Sequence, residues 1–471
     1  MIFKPHHVAL GVLTAGIALS AGLARAQDGR TGRDIYAEQL RVRLDEQIPE
    51  AREAGFDAGG WFNFAIFNYL DGPSQETRTM RSYELRLWGS ANVGGVHRGY
   101  VRALLGWENW NPGTYYIPGG ENHFNDGIER AWYQFDSFAL VRNRTGKRPP
   151  NGFRVKIGRQ FATIGTGLVL SMPLDMIRFD AAIGDVDVTA LLGQTLRHSR
   201  NIDDSDAVAG HQDRCFYGFE LGYRGWTRHR PFVYFLSQSD HTGPDPSSQR
   251  QRYDYSSRYL GIGSEGALSD KLQYRAELVG EWGRTYSNGA TTGQDDICAM
   301  ALDMELAYHF DVPTKPRVTA EYLFATGDSD RGTSATATVG GNTAGTDDEA
   351  FNAFGFRDTG IAFSPRISNL HMYALGGSCF PLERFELFER MKVGTKVFFY
   401  HKDESAGAIS DTSANNDARC LGWEWDVYAD WRITSDLAWT IRYGIFQPSG
   451  AFDGGDKSSR HFLYTGLVFS F

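Results

Sequence analysis

Basic residues recur at alternate positions in several stretches of this sequence, separated by apolar residues. Six of them lie between residues 82 and 156, where a single acidic residue, Glu84, shares their spacing. A guanidinium presents a planar fork of N–H donors that pairs with a carboxylate, so a row of them could bind an acidic solute. The six cations are Arg86, Arg98, Arg102, Arg130, Arg154 and Lys156.

Residues of both signs occupy the equivalent positions later in the chain. Arg275, Arg317 and Arg442 alternate with apolar residues, but so do several acidic residues. An alternative interpretation is therefore that the arginines neutralise carboxylates on neighbouring segments and stiffen the structure without binding a solute. Trp132 has the spacing of Arg130 and could stack on a sugar ring or anchor the chain at a membrane interface.

No other residue pattern indicates catalysis or metal binding. The 12 histidines form no HExxH motif, and serine, histidine and acidic residues form no nucleophile motif. Two acidic loops resemble calcium-binding loops but lack the distal glutamate of a complete motif, so we interpret them as solvated loops. We expect no enzyme activity, no cofactor and no metal site. The aspartates of the two loops are Asp203, Asp204, Asp206, Asp328 and Asp330.

The four cysteines form no recognisable motif. Cys215, Cys298, Cys379 and Cys420 lie far apart without a CxxC spacing, so neither a zinc site nor a redox pair is indicated. Their disulfide state stays open at this stage.

The segments that carry these residues alternate polar and apolar side chains with a period of two. Ser82, Glu84 and Arg86 interleave with apolar residues, and the same alternation recurs at 317–324 and 423–432. Side chains of a strand point to opposite faces with this period, so each segment predicts a strand with one apolar and one charged face.

Two architectures bury one face of such strands, a soluble β-sandwich and a transmembrane β-barrel. Tryptophan and tyrosine lie near the segment ends, short and long connections alternate, and the last alternating segment ends in Phe471. These features favour the barrel. We predict an all-β protein, a single transmembrane antiparallel β-barrel of the outer membrane with about 18 strands, sixteen being the alternative. An even number places both termini in the periplasm.

The first 26 residues have the features of a secretory signal peptide. Lys4 precedes an uncharged apolar stretch, and the tripeptide at 24–26 has the small-x-small pattern of a cleavage site. The alternative is a retained anchor helix, but the stretch is short for a bilayer. We expect residues 27–56 to form a periplasmic segment and residues 57–471 to form the barrel.

The charge of the chain argues against one class of partner. Cleavage takes the formal net charge from −9 to −11, because it removes two basic residues and no acidic residue. An acidic chain is a poor binder of nucleic acid.

Several short strings follow one another along the chain in an order that resembles the alginate-export family of outer-membrane porins. None is specific alone, and together they cover most of the mature chain. The resemblance implies a monomeric barrel that carries acidic exopolysaccharide across the outer membrane. The strings are Glu129-Arg130-Ala131-Trp132-Tyr133, Gly158-Arg159-Gln160, Gly165-Thr166-Gly167-Leu168, Ser368-Asn369-Leu370, Gly376-Gly377, Gly422-Trp423-Glu424-Trp425-Asp426 and Tyr443-Gly444-Ile445-Phe446-Gln447-Pro448, followed by the final Phe471.

We therefore expect a channel for passive export or passage of an acidic, uronate-containing polysaccharide or another anionic solute. The alternatives are a general anion-preferring uptake porin and a structural or adhesive barrel without transport. Expected partners are the solute, outer-membrane lipid and the insertion machinery. The passenger, the direction, and gating by 195–213 or 327–352 stay open. The residues expected to line the lumen are Arg86, Arg98, Arg102, Arg130, Trp132, Arg154, Lys156, Arg275, Arg317 and Arg442.

Overall fold

The computed structural model describes residues 54–70, 77–113, 122–147, 149–196, 213–241, 254–286, 293–331, 342–453 and 457–471. The predicted signal peptide and residues 27–53 lie outside these ranges, and residues 54–56 belong to the first strand. The described residues form eighteen strands. They are β1 (Ala54–Leu70), β2 (Thr77–Val93), β3 (His97–Trp110), β4 (Asn122–Asp136), β5 (Gly152–Ile164), β6 (Leu170–Ile183), β7 (Val186–Thr195), β8 (Arg214–Tyr223), β9 (His229–Asp240), β10 (Ser256–Ala267), β11 (Leu272–Thr285), β12 (Asp295–His309), β13 (Arg317–Ala325), β14 (Leu370–Cys379), β15 (Met391–His401), β16 (Cys420–Arg432), β17 (Leu437–Pro448) and β18 (Arg460–Ser470).

The strands form one antiparallel sheet that closes on itself. Each strand pairs with its neighbours in the chain, and β1 pairs with both β2 and β18. Phe471 exchanges two backbone hydrogen bonds of 2.9 Å with Gly60, which extends the closing seam to the last residue. Closure removes the free edges that an open sheet would present. The predicted all-β barrel is confirmed, and a sandwich is excluded.

The outer surface of the barrel is apolar over the middle of the strands. Large apolar side chains on the outward register are exposed, among them Leu105 (54%), Ile262 (60%) and Leu375 (59%). Exposure of so many large apolar groups to water would be costly, whereas a lipid bilayer buries them. Aromatic pairs such as Tyr83 and Trp107, with ring centroids 5.2 Å apart, lie on the same face.

Within the described residues, one α-helix lies at the end of the barrel that carries both ends of the described chain, which we call the terminal end. This helix, α1 (Ser137–Thr145), connects β4 to β5, and the Asp136 carboxylate caps it by accepting a hydrogen bond of 3.0 Å from Ala139 N. Among the described residues, no helix has the length and apolar character needed to cross a membrane.

The connections at the terminal end are mostly short. Gly94 and Gly95 form one of the turns with φ of 62° and 70°, values that a type I′ hairpin turn requires at both central positions. The opposite end, here the far end, carries the longer connections at 196–213, 326–369 and 402–419. The alternation is less strict than the sequence suggested, because the far end also has the short turn 165–169 and the terminal end has α1.

Candidate functional site

Strand pairing places all ten residues expected to line the lumen on the inward register. Arg102 pairs with Arg130, and Arg275 pairs with Glu305, on the face opposite to the exposed apolar side chains. These residues do not form one continuous surface. Some of them form a buried cluster, others belong to a row of inner aromatic rings or line an accessible cavity, and Arg98 and Arg442 lie between these groups.

The buried arginine cluster consists of Arg86, Arg102 and Arg130 with Glu84 and Glu129. These arginines are exposed by only 7%, 1% and 3%. Arg86 contacts Glu84 at 2.8 Å and Glu129 at 3.1 Å, and Arg102 contacts the same Glu129 oxygen at 2.9 Å. Arg86 and Arg102 therefore neutralise wall carboxylates, as the alternative interpretation expected, whereas Arg130 donates to the Glu129 backbone carbonyl at 2.8 Å.

A β-bulge accounts for the carboxylate that the sequence pattern missed. The register between β3 and β4 shifts at Arg102 and Ala103, which leaves Glu129 as an extra residue opposite this step. A strict period of two places Glu129 on the outer face, but the bulge turns its side chain to the inner arginines. Asp136 adds another inner carboxylate and contacts Arg154 at 3.0 Å. The early strands therefore carry more inner acid than Glu84 alone.

Trp132 lies in a row of inner aromatic rings at the terminal-end half of β2, β3 and β4. Its ring centroid is 5.6 Å from that of Tyr100, which is 6.2 Å from that of Trp88. The Lys156 ammonium lies 4.0 Å from the Trp132 ring centroid. Trp132 therefore faces the lumen rather than the lipid.

An inner segment, residues 342–369, folds from the far end into the barrel. It pairs with the turn between β5 and β6: Phe354 N donates to Val169 O at 2.8 Å, and Phe356 N donates to Gly167 O at 3.1 Å. The part of the 327–352 loop that the structure describes thus includes residues inside the barrel. The other loop of the gating question, 195–213, lies mostly outside the described residues.

The turn between β5 and β6 is itself held inside the barrel by wall carboxylates. Gly165 N donates to Glu220 at 2.8 Å, and Thr166 N donates to Glu277 at 2.9 Å. Gly165 has a φ of 57°, and a Cβ there would lie 2.5 Å from the Tyr234 ring, so this close approach requires glycine. This is the role of the first glycine in the Gly-Thr-Gly-Leu string.

The stretch 357–363 of the inner segment, here called the clasp, binds wall charges of both signs. Arg357 contacts Asp303 at 2.6 Å and Glu277 at 3.7 Å, and Asp358 contacts Lys396 at 3.4 Å. The clasp therefore places its two charges against complementary groups on the wall.

Glu424 on β16 anchors the other end of the clasp. Its carboxylate accepts three backbone N–H groups, from Ile361 at 2.6 Å, Ala362 at 2.7 Å and Phe363 at 2.9 Å. Phe363 also stacks on Phe446 with ring centroids 4.1 Å apart. A fully buried carboxylate needs such donors because its lost hydration is costly.

Apolar side chains fill the barrel between the inner segment and the far-end half of the wall. A single cluster of buried residues includes Leu168, Val169 and Phe354 from the in-folded parts and Phe398 and Phe446 from the strands. A smaller aromatic cluster on β1, β2, β3 and β18 packs against Ile361. The far-end half of the described lumen is therefore largely a packed core.

The terminal-end half retains an accessible space that we call the vestibule. It consists of two cavities of about 630 and 760 Å³ that share Arg224 and Arg230 in their walls. Seven arginines line the two cavities, against four acidic residues. The arginines are Arg154, Arg178, Arg224, Arg228, Arg230, Arg275 and Arg317, and the acids are Asp180, Asp187, Glu265 and Glu305.

The vestibule arginines are paired but remain open to solvent. Arg275 contacts Glu305 at 3.1 Å and Arg317 contacts the same carboxylate at 3.1 Å, while their side chains are 29% and 38% exposed. The Arg154 side chain is 45% exposed although it contacts Asp136. Several donors of each guanidinium are thus available to a solute. Sequence spacing alone had not indicated Arg178, Arg228 or Arg230.

The remaining predicted residues occupy intermediate positions. Arg442 lies above the Tyr428 ring at 5.1 Å and donates to Asp430 at 3.3 Å. Arg98 lies on the inward register of β3, nearer the terminal end than Arg102.

Arg159, in the Gly158-Arg159-Gln160 string, lies on the outer face. It pairs with Asp175 at 2.9 Å and donates to Ile128 O at 2.8 Å. The pairing of β4 with β5 ends at Ala131 and Arg159. The Arg159 side chain therefore connects β4, β5 and β6 at the point where β4 and β5 separate.

The described residues contain no group of three or more His, Cys, Asp or Glu side chains arranged to hold a metal ion. Burial and a hydrogen bond with Asp330 raise the pKa of Asp328 to about 7. Asp203, Asp204 and Asp206 lie outside the described residues. All four cysteines are free thiols.

Several solved outer-membrane proteins share this architecture. OccK5 (OpdH) of Pseudomonas aeruginosa is 12% identical with a TM-score of 0.53, and the match covers 89% of this chain and 100% of that one. OccAB1 of Acinetobacter baumannii is 10% identical with a TM-score of 0.54, covering 90% and 99%. OprD of Pseudomonas aeruginosa is 11% identical with a TM-score of 0.52, covering 90% and 96%. At these identities the likeness concerns the fold.

The family follows from the sequence match. A search of the curated proteins finds no match to this chain. A family model described as "Alginate export" matches residues 196–465, which is more than half of the chain. The match confirms the family resemblance, and the closed barrel with its apolar outer surface fits the outer membrane. The chain belongs to the alginate-export family and forms an outer-membrane channel barrel.

Proposed function

We propose that this channel passes anionic solutes, including acidic polysaccharides that contain uronate residues, through the vestibule. The observation that carries the proposal is the excess of cations in the vestibule, seven arginines against four acids, in a chain whose net charge is −9. A cleft lined by one sign of charge with low-dielectric walls concentrates ions of the opposite sign. The family match supports the same class of passenger.

The exposure of the vestibule arginines suits transport better than tight binding. Each vestibule guanidinium already contacts an acidic side chain of the wall. A passing carboxylate would replace that side chain for a time, so it would not bind as tightly as it would to an arginine without a partner. Conduction requires binding sites that attract a solute and also release it. Several half-exposed arginines in series meet both requirements.

The proposed orientation places the terminal end and its vestibule in the periplasm. A solute leaving the cell would then meet the arginines first and the clasp afterwards. Cysteine labelling of intact cells tests this, in a variant whose four native cysteines are replaced by serine. A probe at Thr412 on the far end should react, and one at Thr227 on the terminal end should not. The reverse pattern would contradict export through the vestibule.

Recordings in planar bilayers test the transport function itself. We expect a measurable conductance with anion preference in a potassium chloride gradient. Oligouronates added on the vestibule side should block this current more strongly than neutral oligosaccharides of equal length. A conductance without anion preference or block would refute the proposal, and absence of conductance would favour a structural or adhesive barrel.

A general anion-preferring uptake porin is the second candidate. The small cavities, which are separated from the far end by packed side chains, favour it over a wide polymer pore. It predicts anion preference in the same recordings but no block by oligouronates. In either case we expect a monomer with a cleaved signal peptide, recognised by the insertion machinery through the strand that ends in Phe471, and without enzymatic activity.

A further inference from the structure

We infer that the row of inner rings formed by Trp88, Tyr100 and Trp132 is a binding site for a sugar ring, with Lys156 and Arg154 beside it for an acidic substituent. The inference rests on the proposed function, because it names what the lumen would recognise in a passenger beyond its charge. The site belongs to the β2–β5 side of the terminal-end half and adjoins the vestibule, whose lining also includes Arg154.

The three rings belong to consecutive strands and point into the lumen. Trp88 pairs across the sheet with Arg102, and Tyr100 pairs with Trp132, so all three share the inward register. Trp88 and Trp132 are half-buried, whereas Tyr100 is only 6% exposed. The outer aromatic residues of the same strands, such as Trp107, form a separate row on the lipid side.

The ring geometry leaves part of each indole uncovered. The planes of Trp88 and Tyr100 differ by 19° and those of Tyr100 and Trp132 by 21°, so the rings are nearly parallel. Rings in contact lie about 3.5–4.0 Å apart. At centroid distances of 6.2 and 5.6 Å, rings in contact are therefore displaced sideways by roughly 4–5 Å. This is an offset-stacked arrangement, in which neighbouring rings overlap only in part.

A glycine on β1 allows Trp88 to lie against the wall. A Cβ at Gly59 would lie 3.0 Å from the Trp88 indole, closer than an ordinary carbon contact. At the opposite end of the row, the Lys156 ammonium lies over the Trp132 ring. The row of rings thus packs on the Gly59 backbone at its Trp88 end and contacts the Lys156 ammonium at its Trp132 end.

The chemistry of these groups matches a pyranose that carries a carboxylate. The axial C–H groups of a pyranose form an apolar face that packs on an aromatic ring, as other apolar groups do. A carboxylate on the same sugar would reach Lys156, or Arg154 on the inward register of the same strand. A small inorganic anion would use the cations alone and gain nothing from the rings.

Single-channel block by oligouronates tests the inference in the full-length barrel. The variants are Trp88→Leu and Trp132→Leu, which remove a ring without changing charge. We expect each to weaken block by roughly three- to tenfold, because each removes one ring on which a sugar can pack. The chloride-to-potassium preference should stay unchanged. Trp132→Phe keeps a ring and should restore most of the block.

Trp107→Leu is the matched control, because Trp107 lies on β3 but faces outward at 39% exposure. It should leave block unchanged. Heat-modifiable migration of each variant establishes that the barrel is folded, and any Leu variant that fails this check is replaced by its Phe and Met counterparts. Equal block in wild type, Trp88→Leu and Trp132→Leu would overturn the inference while leaving the proposed function intact. Absence of block in the wild type would instead refute the polysaccharide passenger.

Discussion

Arginines on the same inward register have different environments in the buried cluster and in the vestibule. Arg102 in the cluster is 1% exposed and shares Glu129 with Arg86, whereas the Arg317 side chain in the vestibule is 38% exposed and shares Glu305 with Arg275. Both arrangements have two guanidiniums around one carboxylate. The difference is the access of water, so only the vestibule arginines can exchange a wall carboxylate for a solute.

The comparison shows that residue type and register do not determine which arginine is accessible from the lumen. A buried pair is strongly coupled because its ions have lost their hydration, whereas a half-exposed pair is screened and contributes little to stability. The cluster therefore belongs to the rigid wall. The vestibule supplies the charges that a passenger can reach.

The largest effect is expected from removing a charge inside the cluster. Arg102→Met leaves Glu129 buried with one cation fewer, and loss of a partner from a buried pair costs roughly 3–5 kcal/mol. Urea titration of the refolded barrel, followed by heat-modifiable migration, measures the free energy of unfolding.

Arg317→Met is the matched control, because it removes an arginine that is 38% exposed and leaves Glu305, which is 21% exposed, still paired with Arg275. It should cost less than about 1 kcal/mol. Equal losses in the two variants would show that burial does not distinguish the two regions.

The second-largest effect is expected at the clasp, where the Glu424 carboxylate is as deeply buried as Arg102. Glu424→Leu removes the acceptor of three backbone N–H groups, which regain water only if the clasp detaches from the wall. The lost anchoring amounts to about 1–3 kcal/mol. We expect a larger single-channel conductance in potassium chloride, with a smaller increase in Glu424→Gln, which keeps one acceptor oxygen. An unchanged conductance in Glu424→Leu would mean that the clasp does not limit the current.

Much of the fold follows from the period of two. The inward positions of Arg86, Arg275 and Arg442 follow from the alternation of apolar neighbours, because an outward slip of one residue would place charges in lipid. The eighteen strands follow from the spacing of the same pattern. The helix α1 could not be predicted in this way, since its nine residues show no alternation and no marked apolar face.

Less of the candidate site could be predicted. The bulge that turns Glu129 inward cannot be detected when strands are predicted from a constant period of two. It adds a carboxylate beside the three arginines of the buried cluster. The clasp depends on contacts between residues as distant in the chain as Thr166 and Arg357. The sequence shows Arg357 and Asp358 only as two charges in an irregular loop.

A smaller effect is expected from the vestibule. Replacing Arg275 and Arg317 together by Gln removes two accessible charges, each of which acts on a passing ion with about 1 kcal/mol at 4 Å in water. The anion preference should fall by several-fold. Reversal potentials in a potassium chloride gradient measure the preference. Arg284→Gln, an exposed change of the same charge at the far end of β11, should leave it nearly unchanged. An equal fall in this control would place the selectivity outside the vestibule.

Salt concentration should produce the smallest effect and should separate the two regions. The Debye length falls from about 10 Å at 0.1 M to about 3 Å at 1 M, so salt screens most of the interaction between a solvent-exposed charge and an ion in the lumen. The difference in anion preference between wild type and the Arg275 and Arg317 double variant should therefore shrink at 1 M. The stability lost in Arg102→Met should persist, because screening ions do not enter a pair whose arginine is 1% exposed. Reversal potentials and urea titrations at both salt concentrations measure the two responses. If both differences decline in parallel, Arg102 is as accessible to ions as Arg317, and the distinction between wall and passage fails.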